Sequence, residues 1–445
     1  MTNATMEQVS PQTLRRVIVA AGIGNFVEWF DFAVYGFLAT TIAQQFFPSG
    51  DASAALLKTF AVFAVAFAFR PLGGIFFGML GDRIGRKRTL AMTILLMAGA
   101  TTLIGLLPTY AAIGVLAPVL LSLIRCAQGF SAGGEYAGAC AYLMEHAPSD
   151  KRAWYGSFIP VSTFSAFAAA AVVAYALEAS LSAEAMGSWG WRLPFLIAAP
   201  LGLVGLYLRW KLDETPAFQA VTQERAVAHS PLKETLRNHG AAICCLGAFV
   251  SLTALSFYMF TTYFATYLQV AGGLSRATAL LVSLIALLFA AAICPLAGLY
   301  SDRVGRRMTV MTACALLIVA VYPSFLMASS GSFAASIVGV MLLAIGAVLC
   351  GVVTAALLSE TFPTRTRYTA SAITYNMAYT IFGGTAPLVA TWLISTTGSN
   401  LSPAFYLIAV ALLALAGGLA LPETSRISLH DIPSQEKGLR VSASA

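Results

Sequence analysis

Polar and apolar positions in this chain segregate into long blocks, with little short-range alternation. Twelve runs, each close to or above the roughly 20 residues needed to cross the hydrocarbon of a bilayer, carry almost no charge. They predict helices at about 17–40, 58–80, 89–107, 111–144, 154–178 and 193–210. A second set follows at about 241–270, 277–299, 308–328, 333–359, 369–396 and 402–421. The polar stretch between them contains Pro216 and Pro231 and reads as a linker. The expected organisation is a tail 1–16, a six-helix bundle 17–210, a linker 211–240, a second bundle 241–421 and a tail 422–445. Residues 1–16 are polar and lead straight into the first helix, so no cleavable signal peptide is expected.

Composition sharpens this into an all-α integral membrane protein. Of the 445 residues, 58% are hydrophobic and 10% charged, where a soluble domain has roughly 25% charged. The mean hydropathy of +0.79 makes lipid the expected solvent for most of the surface. A net charge of +7 could suggest nucleic acid, but its distribution argues against that partner. Arg70 and Arg125 fall inside apolar runs, and Lys58, Arg192 and Arg276 fall on one side of the membrane. The other basic residues lie on the opposite side, which by the positive-inside bias places both termini in the cytoplasm. The seven cysteines lie in or beside apolar runs without metal-ligand spacing, so they read as packing residues and not as a disulfide framework.

The two halves repeat one another. Gly78, Asp82, Arg83, Gly85, Arg86 and Lys87 stand in the order Gly-x-x-x-Asp-Arg-x-Gly-Arg-Lys. Gly298, Asp302, Arg303, Gly305, Arg306 and Arg307 repeat that order 220 residues later. Glu145, Pro148 and Arg152 are matched in spacing by Glu360, Pro363 and Arg367, and Glu214-Thr215 by Glu423-Thr424. Three echoes in register indicate a duplicated six-helix unit.

These loops resemble the signature loop of the major facilitator superfamily. Four further segments resemble its metabolite:proton symporter branch, which includes proline/betaine, α-ketoglutarate, shikimate and citrate transporters. They are Gly24 to Phe32, Arg70 to Gly74, Gln128 to Tyr136 and Trp189 to Phe195. The resemblance implies twelve transmembrane helices in two pseudo-symmetric bundles, a place in the plasma membrane (the inner membrane of a bacterium), and alternating access. It also implies a cytoplasmic latch between the halves on Asp82, Arg83, Arg86, Glu145 and Arg152. The repeat extends that expectation to Asp302, Arg303, Arg306, Glu360 and Arg367.

Ionisable groups at mid-membrane are costly and mark function by default. This chain places Glu28, Asp31, Arg70, Arg125 and Glu135 there, all in the first half. Asn25, Glu28, Asp31 and Tyr35 recur at helical spacing and share one face, and Arg125, Gln128 and Glu135 share another. A carboxylate beside a cation can exchange a proton as its surroundings change. The four histidines lie outside the apolar runs, so Asp31, Glu28 and Glu135 are the expected proton-coupling groups. Arg125 and Arg70 could each hold a substrate carboxylate, with Asn25, Tyr35 and Gln128 as further expected substrate contacts. Tyr258 and Tyr263 are chosen from an aromatic-rich helix, because their hydroxyls need partners inside the bundle, and Asn376 is a polar contact from the second half.

The arginine at 125 and the run Ile381 to Thr385 look closer to the carboxylate carriers of the branch. The expected activity is therefore proton-coupled uptake of a small di- or tricarboxylate of the α-ketoglutarate or citrate type. The alternative is symport of zwitterionic solutes such as proline and glycine betaine, whose ammonium groups would suit aromatic faces. The short tail after 421 shows no heptads, unlike the coiled coil of proline/betaine members, and argues against osmotic regulation. A proton-driven exporter is disfavoured because helix 5 lacks the Gly/Pro-rich motif of that class. No HExxH or nucleophile–base pattern supports an enzyme. The only coupling ion expected is the proton, with no other cofactor, and the chain is expected to work as a monomer.

Overall fold

A computed structural model describes residues 11–84, 86–210, 231–362, 367–425 and 427. Among these, every regular element is a helix. Nine spans are long and apolar enough to cross a membrane, ten if the bent pair Ala21–Phe37 and Ala39–Phe46 counts as one. Two shorter apolar helices, Ala91–Leu106 and Leu116–Ala132, fall where the third and fourth runs predict helices.

The helices of the described residues are numbered α1 to α12 in chain order, with interrupted helices given one label. α1 covers Pro11–Phe37 and continues past a bend as Ala39–Phe46; α2 covers Ala52–Ala68 and continues as Arg70–Ile84. α3 is Arg86–Leu106, α4 is Leu116–Ala132 continued as Glu135–His146, α5 is Phe158–Ser180 and α6 is Leu193–Trp210. In the second half α7 is Pro231–Tyr258 continued as Phe264–Val270, α8 is Arg276–Val304, α9 is Arg306–Ala328 and α10 is Phe333–Glu360. α11 is Arg367–Ala378 continued as Ala386–Thr397, and α12 is Ser402–Leu419. α7 begins about ten residues before its apolar run, because hydropathy marks where a helix meets lipid and not where its hydrogen bonds start. His146 is the last residue of the second segment of α4, and His239 lies inside α7.

The interruptions inside helices matter most for the interior. α1 bends by 64° at Leu38. α4, expected as one helix, breaks at Gly133-Gly134, since paired glycines weaken a helix and tolerate close approach. In α2, Pro71 has no N–H to offer the carbonyl of Phe67, and that carbonyl instead accepts the Thr380 hydroxyl of α11 at 2.8 Å. The Gly133 carbonyl, at the break in α4, accepts Asn376 Nδ2 of α11 at 2.8 Å. Two defects in first-half helices are thus filled by polar side chains of the second half. α7 and α11 each also contain a π-helical turn, Met259–Tyr263 and Tyr379–Gly383, a feature common at functional sites.

Large apolar side chains such as Leu72, Leu203 and Val319 are exposed, while Asn25, Glu28, Asp31, Arg70 and Arg125 are buried. This inverted distribution is what a lipid solvent requires. α5 packs along α8, α2 beside α11, and the second segment of α4 against α10, so the halves meet through helices. All seven cysteines are free; four are buried, whereas Cys244 is exposed.

Candidate functional site

Close packing of α2 against α4 sets the position of the buried charges. A Cβ on Gly73 would overlap the Phe130 carbonyl, one on Gly129 the Ala66 carbonyl, and one on Gly133 the Arg70 carbonyl. Only hydrogen in place of a side chain lets these backbones touch. The contact carries Arg70 and Arg125 to the face of α1 that bears Glu28 and Asp31.

Both guanidiniums are fully buried. Arg70 Nη2 lies 3.5 Å from Glu28 Oε1 and 3.5 Å from the Ala132 carbonyl, while its Nε and Nη1 meet no hydrogen-bond acceptor among the described residues. Its charge sits over the rings of Phe67, Phe32 and Trp29 at 5.3, 5.6 and 5.8 Å. Arg125 Nη1 donates to Gln128 Oε1 at 2.7 Å, and Gln128 passes the bond on to Thr101 at 2.6 Å. Arg125 lies 4.1 Å over the Tyr35 ring, with Nε and Nη2 unmatched. Asp31 is buried beside Arg125, Thr101 and Glu135, and neither of its oxygens meets a hydrogen-bond donor among the described residues. Phe32 contacts both guanidiniums, which divides the interior into an Arg70 pole and an Arg125 pole.

Several expected site residues are already committed elsewhere. Asn25 donates to the Ile159 carbonyl, Ser162 and Thr163 and accepts from Trp29, pinning α1 to α5. The Tyr35 hydroxyl donates to the Thr59 carbonyl at 3.0 Å. Tyr263 belongs to an aromatic ladder with Phe60 and Tyr267. Tyr258 is buried against Phe67 and Phe63, with centroids 5.2 and 5.7 Å apart, and its hydroxyl has no partner among the described residues. Sequence reasoning missed Tyr375 and Tyr379, which enter the Arg70 pole from α11. Tyr375 stacks on Tyr379 at 3.9 Å and on Tyr136 at 4.3 Å. Their spacing of four, just before the Ile381 run, was the available signal.

The halves are joined at both ends of this interior. At one end Arg276 reaches Glu178 at 3.3 Å and Thr40 at 2.9 Å. At the other, Asp302 accepts the Ala153 and Trp154 amides at 3.0 and 2.9 Å and pairs with Arg306 at 2.8 Å. Glu360 pairs with Arg306 at 2.9 Å and Arg152 at 3.5 Å, and Arg152 also donates to the Ile427 carbonyl. Arg303 is exposed and stands outside this cluster. The side chains of Asp82, Arg83, Arg86, Glu145 and Arg367 lie outside the described residues.

Gly305 adopts φ +92°, a conformation that favours glycine, and a Cβ there would meet the Glu423 carboxylate at 2.5 Å. Glu423 accepts the Arg306 and Arg307 amides at 2.8 and 3.0 Å, capping the start of α9 where the helix dipole favours an anion. Partial burial pushes the Glu423 carboxyl up, but the amides of Arg306, Ser425 and Arg307 outweigh it and hold it below the ordinary glutamate value. Its stabilising contribution is therefore complete above the ordinary glutamate range and is lost only as pH falls through the lowered value. Glu423→Gln is expected to lower the melting temperature in detergent at neutral pH, and the gap should close under strongly acidic conditions. A gap independent of pH would contradict this account.

A helical, lipid-facing body with charges enclosed between two joined halves is suited to carrying a small solute, and the family and relatives that the chain matches make it an integral membrane transporter, not an enzyme. The Major Facilitator Superfamily profile matches residues 21–386 and 273–443. The chain belongs to the major facilitator superfamily. The proline/betaine transporter of Salmonella typhimurium is 38% identical over 422 residues, covering 93% of this chain and 84% of the relative. The glycine betaine/proline/ectoine/pipecolic acid transporter of Dickeya dadantii is 38% identical with the same coverage. The ectoine/proline transporter of Corynebacterium glutamicum is 37% identical over 432 residues, covering 94% and 86%. In fold the chain is similar to the proton:xylose symporter XylE, with a TM-score of 0.74 and 17% identity over 95% of this chain and 99% of that one.

These relatives overturn the expectation of a di- or tricarboxylate cargo. Arg125 and the Ile381 run pointed to the carboxylate carriers, whereas similarity across the chain lies with transporters named for proline, betaine and ectoine. The physical reason is simple. A guanidinium recognises a carboxylate whichever molecule bears it, and proline and betaine bear one too.

Proposed function

We propose that this chain imports zwitterionic compatible solutes of the proline, glycine betaine and ectoine class in symport with protons. The observation that carries this reading is the charge balance of the interior. Arg70 and Arg125 share it with Glu28, Asp31 and Glu135, all buried. With the coupled proton on one of the three carboxylates, two cations face two anions, which suits a solute of zero net charge and opposes a dianion or trianion, whose desolvated charge would face like charge. Aromatic faces of Trp29, Phe32 and Phe67 around the same centre suit a methylated or cyclic ammonium. The names of the relatives point the same way.

In this reading the twelve helices form two six-helix bundles joined by 211–240, with both termini in the cytoplasm of a bacterium and the protein acting as a monomer in its inner membrane. Asp302, Arg306, Glu360 and Arg152 form the cytoplasmic gate, and Asp31 carries the coupled proton beside Arg125. Purified protein in proteoliposomes is expected to concentrate proline, glycine betaine and ectoine under an inward proton gradient, and to leave α-ketoglutarate and citrate at background. Uptake indifferent to the gradient would sink symport; accumulation of the organic acids alone would sink the substrate class.

A further inference from the structure

Donors and acceptors at the two poles do not balance in the same way. At the Arg125 pole the unmatched atoms are donors and acceptors together: Arg125 Nε and Nη2, and both oxygens of Asp31. A small shift lets them satisfy one another within the first half. At the Arg70 pole four donors, Arg70 Nε and Nη1 and the hydroxyls of Tyr258 and Tyr375, stand unmatched around one carboxylate, that of Glu28. Glu28 approaches the guanidinium most closely at Nη2, at 3.5 Å. All of these side chains are fully or almost fully buried. A buried donor without an acceptor costs free energy, and both tyrosines act on the Arg70 charge, so this pole calls for an acceptor-rich ligand.

Resting on the zwitterion reading above, we propose that Arg70, Tyr258 and Tyr375 form the subsite for the carboxylate of the transported solute. One carboxylate oxygen accepts from an unmatched Arg70 nitrogen, Nε or Nη1, and the tyrosine hydroxyls donate to the remaining lone pairs. The two tyrosines come from α7 and α11, next to or just before the π-helical turns at Met259–Tyr263 and Tyr379–Gly383. Arg70 comes from α2 in the other half, so the carboxylate bridges the two bundles. Stacking of Tyr375 between Tyr136 and Tyr379 fixes its ring before the ligand arrives, which lowers the entropic cost of binding. Arg125 remains with Asp31 and Gln128 as an internal unit.

Tyr258→Phe and Tyr375→Phe each remove one oxygen and keep the ring packing. Each is expected to raise KM for proline and glycine betaine about tenfold, the effect of losing a hydrogen bond to a charged group. Competition against labelled proline by prolinamide, which lacks the carboxylate, should not change. The ratio of proline to prolinamide affinity therefore falls about tenfold in either variant, a readout that lower expression or stability does not move. Unchanged KM and an unchanged ratio in both variants, with wild-type uptake intact, would overturn the subsite and leave the zwitterion reading standing. Absence of zwitterion uptake by the wild-type protein would overturn both.

Discussion

Asp31→Asn is expected to abolish concentrative uptake while exchange of preloaded solute continues. Asp31 is buried on α1, beside a guanidinium that is itself fixed to Gln128 at 2.7 Å. An ionised carboxylate in such a place is tolerable only while Arg125 is close, and a change in their separation as the halves rock decides whether a proton is held. Asparagine mimics the protonated shape and can neither release nor take up a proton. With a gradient of about two pH units, one coupled proton supports roughly a 100-fold concentration ratio, since each unit is worth about 1.4 kcal/mol. The variant should settle near a ratio of about one by the same relation. Counterflow of labelled solute separates the two activities. If Asp31→Asn still concentrates proline or betaine, the proton travels by another group, with Glu28 the next to test by Glu28→Gln.

Glu360→Gln is expected to be the most damaging change at the end of the molecule that carries Asp302. Glu360 accepts from Arg306 Nε and Nη2 at 3.0 and 2.9 Å and from the Thr424 hydroxyl at 2.8 Å. Arg306 is fully buried and Arg152 nearly so. Removing the carboxylate leaves two buried cations short of an anion, which for a broken buried pair costs about 3–5 kcal/mol. Detergent melting should fall accordingly, and a cysteine introduced as Ala297→Cys, on α8 beside the Arg152 segment, should become open to alkylation. The opposite end is held differently. Arg276 and Glu178 are 22% and 24% exposed, and such partly solvated pairs contribute about 0–1 kcal/mol. The halves should therefore part more readily at the Arg276 end. Unchanged melting and unchanged alkylation in Glu360→Gln would show that the cluster does not hold the halves together.

The candidate site was legible in part, and the division has a physical basis. Glu28, Asp31, Arg70, Arg125 and Glu135 stood out because a charge inside an apolar run is an anomaly that local composition reveals. Helical spacing also placed Glu28 and Asp31 on one inward face. Spacing could not show that Asn25, on that same face, is spent on Ser162 and Thr163, nor that Tyr35 is spent on Thr59. Tyr375 and Tyr379 look like ordinary packing residues until α11 is laid against α2. The error over the cargo has another root. A sequence shows that an arginine is present, but a guanidinium recognises a carboxylate whichever molecule bears it.

By itself the sequence determined the helical membrane body, the repeat of its loop motifs and the presence of charge in its interior. These depend on the cost of placing each residue in lipid, which is a property of short segments read one at a time. Tertiary structure alone decided which charges meet and which are left over. Arg70 meets Glu28 across 42 positions and Asn376 meets the Gly133 carbonyl across 243, through backbones that touch at Gly73, Gly129 and Gly133. Hydrogen bonds act over about 3 Å, so pairing is fixed by the register of packed helices, and no local pattern carries that register.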